Sequence, residues 1–227
     1  MAAVSPVPPD DLAAAVRVLV ARRQSVSADR LLGLFASGEC SPDGLLVARG
    51  PDGSPTGAVF VQLQPGSAAS VHPPGADDPA VADALAAAAV AHLRAAGVKQ
   101  AQCVVQPADV PLVGPLERAG FRAVTRLLFF AHKLDKSVRV GPNPEAGPLR
   151  FEPVADPAAG FADALTASYD GTLDCPELNG ARSADDILAG YRAMAAPDPP
   201  DWTLLRLGAD PAGVLILGAG RSRGSPS

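Results

Sequence analysis

At 227 residues the chain has room for one large or two small domains. Apolar residues make up 48% of it, enough for a real core, and a net charge of -5 with no Lys/Arg cluster argues against a nucleic-acid partner, which needs a basic face. Cys40, Cys103 and Cys175 have no paired spacing and the three histidines are scattered, which argues against a disulfide framework and a zinc site.

The opening residues lack the basic start and apolar run of a signal peptide, and no apolar stretch is long enough to span a bilayer, so the expected location is the cytoplasm. Asp10 and Asp11 precede an apolar-periodic run, and carboxylates there cap free N–H groups, so a helix is predicted over residues 12–23. Ser27 opens a second short helix that ends near Gly38. Leu45-Leu-Val-Ala-Arg49 reads as a strand, Gly50-Pro-Asp-Gly-Ser-Pro55 as a turn and residues 57–63 as the return strand. After Gly66, residues 67–71 read as a third strand.

The most regular helix follows. Asp78 is its N-cap, Pro79 takes the first position, Gly97 takes C′, and Val81, Leu85, Ala88, Ala89, His92 and Leu93 recur at helical spacing. Residues 100–106 read as a strand with Cys103 in its core. A short helix over residues 112–119 ends at Gly120, with Pro115 confined to its first turn and Asp109 as its cap. Residues 121–134 supply one or two closing strands.

A lobe is thus predicted at residues 1–135, and the Gly, Pro and Asn content of residues 136–148 reads as a linker. The pattern then restarts over residues 149–217. A strand at 149–154 leads to a helix at 156–169 and a loop at 170–182. A helix follows, opened by Ser183 with Asp186 three residues on, and then a hairpin at 202–207 and 213–217. Helix, helix, strand, turn and Gly plus strand therefore occurs at 10–63 and again at 156–217, an internal repeat whose second copy covers only the opening half. Residues 218–227 read as a disordered tail, and their Gly/Ser/Arg composition reads as the end of a truncated or frameshifted product. An unpaired hairpin edge at 213–217 would invite a homodimer.

Three stretches carry a family resemblance. Val71-His-Pro73 resembles a strand-closing Val-x-Pro, residues 82–97 a long cofactor-side helix, and Leu116-Glu-Arg-Ala-Gly-Phe-Arg122 a Leu-Glu-x-x-Gly-Phe link, all features of the GNAT superfamily of N-acetyltransferases. The resemblance implies an α/β (α+β) fold: a mixed, mostly antiparallel sheet flanked by helices, with a partial second lobe as in the tandem members. It implies acetyl-CoA as the donor substrate, a small amine as the acceptor and no metal. It puts the donor's diphosphate on the start of the long helix, so Val71, His72, Asp77, Asp78, Ala80, Val81 and Ala82 are the cofactor-binding candidates.

The chain departs from the family pattern there. Where the family has Arg/Gln-x-x-Gly-x-Gly/Ala, Asp77 replaces the cation and Ala80 the first glycine, while Ala82 fits. Counted from Val71 the register is off by one, which predicts an extra residue in the loop. Residues 67–71 hold no Glu to act as base and residues 112–116 no Tyr to act as acid. His72 is a conceivable base, although a lone histidine beside a strand end reads as exposed. In the second copy, Tyr169, Asp170, Asp174 and Cys175 lie where the resemblance implies the acceptor binds. The resemblance also leaves open a weak or inactive enzyme, or a non-catalytic module that binds a ligand or a protein.

Overall fold

Apolar residues alternate to no polar face along residues 45–49 and 57–61, so this hairpin must be buried on both sides. The computed structural model, which describes residues 3–128, 149–154, 159–172, 175–194 and 201–217, shows how. The chain divides into two units, Met1–Ala123 and Val124–Ser227. In the first, β1 (Val4–Pro6), β2 (Leu45–Arg49), β3 (Pro55–Gln64), β4 (Ala68–Ala76) and β5 (Gln100–Gln102) form one sheet in that order. All pairs are antiparallel except β4 with β5.

Strand pleating sends Leu46, Ala48, Val59 and Val61 to one face and Leu45, Val47, Ala58 and Phe60 to the other. Helix α3 (Pro79–Ala95) covers the first face with Ala82, Leu85, Ala86, Ala89 and Leu93. Helix α1 (Leu12–Val20) covers the second with Ala15, Val16, Leu19 and Val20, joined by Leu31 of α2 (Ala28–Ala36). The predicted caps of these helices are present. Ser27 accepts from Arg30 N–H, Asp78 accepts from Ala80 N–H at 2.8 Å, and Gly97 has φ of +67°.

The structure alters three strand boundaries. β4 runs on to Ala76, through Pro73 and Pro74, instead of closing at Val71. It pairs Gly75 with Ala58 and His72 with Phe60, so it takes three steps where β3 takes two, which is a bulge at the two prolines. Only Asp77 and Asp78 separate β4 from α3, and the added residue of the bulge is counted against β3. β5 is limited to three residues and pairs with Ala68–Ser70 alone, so beyond Ser70 the two strands diverge. After Pro107–Leu112, a 3-10 turn, and α4 (Gly114–Arg118), residues 121–128 form no strand. Phe121 packs on the core, but Val124, Leu127 and Leu128 are exposed. An apolar run becomes a strand only where a neighbour takes its backbone bonds and a layer covers its side chains. The predicted linker, the tail and residues 129–134 lie outside the described residues.

The second unit has an antiparallel sheet of β6 (Leu149–Val154), β7 (Asp201–Leu207) and β8 (Asp210–Leu217) in that order. Helices α5 (Ala159–Ala167) and α6 (Ala184–Met194) supply Phe161, Ala164, Leu165 and Leu188 to a core around Trp202 and Leu204. The capping box forms: Ser183 N–H donates to Asp186 Oδ2 at 3.0 Å, and Asp186 N–H donates to Ser183 Oγ at 3.2 Å.

Gly75 is where α1 crosses β4. A Cβ there would lie 2.6 Å from the carbonyl oxygen of Leu19 and 2.7 Å from its Cα, both backbone atoms. Gly33, inside α2, has nothing within 4 Å. Chemical denaturation is therefore expected to show a loss of about 3 kcal/mol for Gly75→Ala, by overpacking, and a gain of roughly 0.5–1 kcal/mol for Gly33→Ala.

Candidate active site in the gap between two strands

Beyond Ser70 β4 is no longer paired with the chain that leaves β5, and side chains from three distant segments meet and pack in the gap between them. Asp109, in the turn after β5, is fully buried. It accepts from Gln24 N–H at 2.9 Å and from the Ser25 hydroxyl, and it faces Arg23 Nε at 3.6 Å. The Arg23 side chain is 5% exposed, and its Nη1 lies 2.6 Å from His72 Nδ1 on β4. The His72 ring stands 5.3 Å from that of Phe60. Arg23 Nε is buried with no hydrogen-bond partner, since 3.6 Å is an ionic contact and too long for a hydrogen bond.

Two expectations are corrected here. Asp109 is not a helix cap, since its carboxylate is turned inward to residues 23–25. His72 is not an exposed histidine beside a strand end. It is half-buried within β4, because the strand runs on past it. Burial, and after it the Arg23 charge, pushes its pKa from 6.5 down to about 4. Burial raises the Asp109 carboxyl, but the bonds from Gln24 and Ser25 and the Arg23 charge outweigh that and leave it below 3.8. Cys103 lies one residue beyond β5, half-buried against the α3-side core, and burial pushes its thiol up to about 11 despite Arg23. A thiol there stays protonated at neutral pH and is a weak nucleophile.

The other named cofactor candidates sit elsewhere. Val71 and Ala82 are buried in the α3-side core, and Ala80 is exposed. Asp77, Asp78 and Val81 line a cleft of about 620 Å³ together with Val18, Arg22 and Arg49. Arg22 Nη1 donates to the Ala76 carbonyl at 3.2 Å, and Arg49 Nη2 bonds Asp11 at 2.5 Å. A helix N-terminus holds an anion through free N–H groups and its positive end. At α3 the Asp78 carboxylate already takes Ala80 N–H, and Pro79 has none to give. The positive groups that line this cleft are the Arg22 and Arg49 guanidiniums, and the helix end offers an anion little.

In the second unit, Tyr169 lines a cleft of about 380 Å³ with Leu165, Thr172, Tyr191 and Ile216. Burial and the neighbouring Tyr191 raise its pKa. Asp170 is exposed and Cys175 is half-buried at φ of +50°, and neither lines that cleft. Asp174 lies outside the described residues. Sequence reasoning missed Arg22, Arg23 and Arg49. Nothing local marks Arg22 and Arg23, whose partners lie far along the chain, and Arg49 bonds the nearby Gly53 carbonyl but finds its carboxylate at Asp11. Among the described residues no group of His, Cys, Asp or Glu could hold a metal, and no helix is long and apolar enough to cross a membrane.

No family model matches the chain, and no curated protein does. Solved structures do. A GNAT family acetyltransferase from Brucella melitensis in complex with acetyl-CoA is 17% identical at a TM-score of 0.43, covering 60% of this chain and 92% of that one. The structure of AAC(6')-Iy with a bisubstrate analogue, CoA-S-monomethyl-acetylneamine, is 15% identical at 0.47, covering 59% and 99%. A transcriptional regulator from Bacillus halodurans is 16% identical at 0.45, covering 58% and 100%. Likeness at this level assigns no function to the chain. The first unit does have the mixed, mostly antiparallel sheet flanked by helices that the resemblance to the N-acetyltransferases implies, and it lacks the expected closing strand over residues 121–128.

The histidine makes stability depend on pH. Unfolded His72 titrates at 6.5 and folded His72 at about 4, so between these values only the unfolded chain takes up the proton. Stability is full above pH 6.5 and falls as pH drops towards 4, by about 3 kcal/mol in all. Asp109, held below 3.8, gives up its contribution only at lower pH. Urea unfolding from pH 7 to 4 is expected to show this decline in the wild type and a flatter profile in His72→Gln.

Proposed function

We propose that the first unit is the working lobe of an N-acetyltransferase, with acetyl-CoA as donor and a small amine as acceptor, and that residues 149–217 form the opening half of a second such lobe. The observation that carries this reading is the gap between β4 and β5. Beyond Ser70 the β5-facing edge of β4 has no strand partner among the described residues, and a bulge at Pro73 and Pro74 bends the strand beside His72. Such an edge suits the extended arm of a thioester, because unpaired backbone groups there seek bonds. Arg22 and Arg49 would meet the diphosphate in the cleft at the start of α3. Rate would come chiefly from holding amine and thioester together, since β4 offers no Glu and α4 no Tyr.

Acetyl-CoA near a millimolar is expected to raise the melting temperature of the full chain, by an amount set by mass action. Replacing Asp77 and Asp78 together by Asn keeps the Ala80 cap and removes two like charges, so it is expected to tighten acetyl-CoA binding by roughly threefold to tenfold in calorimetry. Absence of any thermal shift in both proteins would sink the enzyme reading. It would leave the second one, a non-catalytic lobe that binds a ligand or a protein, which the self-capped start of α3 favours.

β8 has β7 as its one strand neighbour among the described residues, which supports a homodimer through residues 213–217. Light scattering is expected to give twice the chain mass, and Leu215→Pro, which removes a ladder donor, to give the monomer.

A further inference from the structure

Three polar groups stand in series in the gap. The Asp109 carboxylate faces the Arg23 guanidinium at 3.6 Å, and Arg23 Nη1 lies 2.6 Å from His72 Nδ1. A guanidinium has donors and no acceptor, so the direction of the second bond is fixed: Arg23 donates, and Nδ1 carries no proton. The neutral ring must then hold its proton on Nε2. Nε2 bonds no described residue and is not among the atoms sealed from solvent. The Phe60 ring and the strand hold the imidazole in place.

We propose that Arg23 and Asp109 are positioning residues that fix His72 as an Nε2–H donor, and that this N–H meets the carbonyl oxygen of an acyl thioester lying in the gap. The proposal rests on the acyltransferase reading of the same site. A general base needs a free lone pair towards the reacting amine, and the lone pair of this ring is occupied by Arg23. What the ring does offer is a fixed donor, and a fixed donor stabilises the charge that builds on a carbonyl oxygen under attack.

The electron balance follows. The amine nitrogen bonds the carbonyl carbon, and the C=O π pair moves onto the oxygen facing His72. The pair then returns, the C–S bond breaks and the thiolate leaves with its electrons, while the amine proton passes to water. The His72 proton stays on Nε2 throughout. Asp109 is needed because Arg23 would otherwise be a buried charge without a counter-ion and would not hold its place.

The test is nitrogen NMR of the 15N-labelled full chain, with the His72 resonances assigned by their loss in His72→Gln. In the wild type, Nδ1 is expected to read as unprotonated and Nε2 as protonated. Arg23→Lys, whose ammonium also lacks an acceptor, is expected to keep that tautomer, and Arg23→Met to release the ring to titrate nearer 6.5. Acetyl-CoA is expected to move the Nε2–H resonance, and coenzyme A without the acetyl group to leave it unmoved. A protonated Nδ1 in the wild type overturns the proposal with no variant needed. So does acetyl-CoA that raises the melting temperature yet moves the resonance no more than coenzyme A does. Acetyl-CoA that stabilises neither the wild type nor the Asp77/Asp78 double variant overturns the acyltransferase reading first, and the His72 role falls with it.

Discussion

A guanidinium buried as deeply as that of Arg23 needs a counter-charge, and the gap is arranged around meeting that need. Asp109 supplies it from a turn more than eighty residues further on. The carboxylate is held in turn by the backbone of Gln24 and the hydroxyl of Ser25, so the loop after α1 and the turn after β5 are tied together. His72 adds β4 to the same network. Taking two charges out of water offsets most of their attraction, so a pair of this kind contributes more to position than to net stability. Position is what a site in this gap requires.

The packing around the network serves the same end. Arg23 can reach His72 only because α1 lies close over the sheet, and it lies close because β4 presents Gly75 beneath Val18 and Leu19. The bulge at Pro73 and Pro74 lies between that crossing and His72. Proline has no N–H for the ladder, so strand pairing loosens where the prolines stand and resumes on either side. A tight crossing, a loosened strand and a locked imidazole therefore occupy four consecutive residues of β4, 72–75.

The two ends of the site differ in charge. The end at His72 is neutral imidazole beside a compensated ion pair. The end at α3 has two exposed carboxylates, Asp77 and Asp78, across a cleft from two arginines. A helix start that caps itself with a carboxylate gains stability and loses attraction for anions, and α3 shows both halves of that exchange. The positive charge there comes from Arg22, just beyond α1, and from Arg49, at the end of β2 and paired with Asp11.

The sequence by itself determined the parts whose causes are local. Asp78, Pro79 and Gly97 marked both ends of α3, Ser183 and Asp186 the start of α6, and alternating apolar residues the hairpin of β2 and β3. Caps, fixed dihedrals and pleating act within a few residues. The order of elements from α1 to α4 was legible for that reason. Only the tertiary structure decided the rest. Residues 121–128 are as apolar as a strand and form none, because no neighbour pairs with them. Asp109 carries every local mark of a cap and instead neutralises Arg23, and His72 reads as a surface base and becomes a fixed donor. These outcomes depend on contacts between residues 49 and 85 positions apart, and charge pairing at that separation leaves no periodic or local trace in a single sequence.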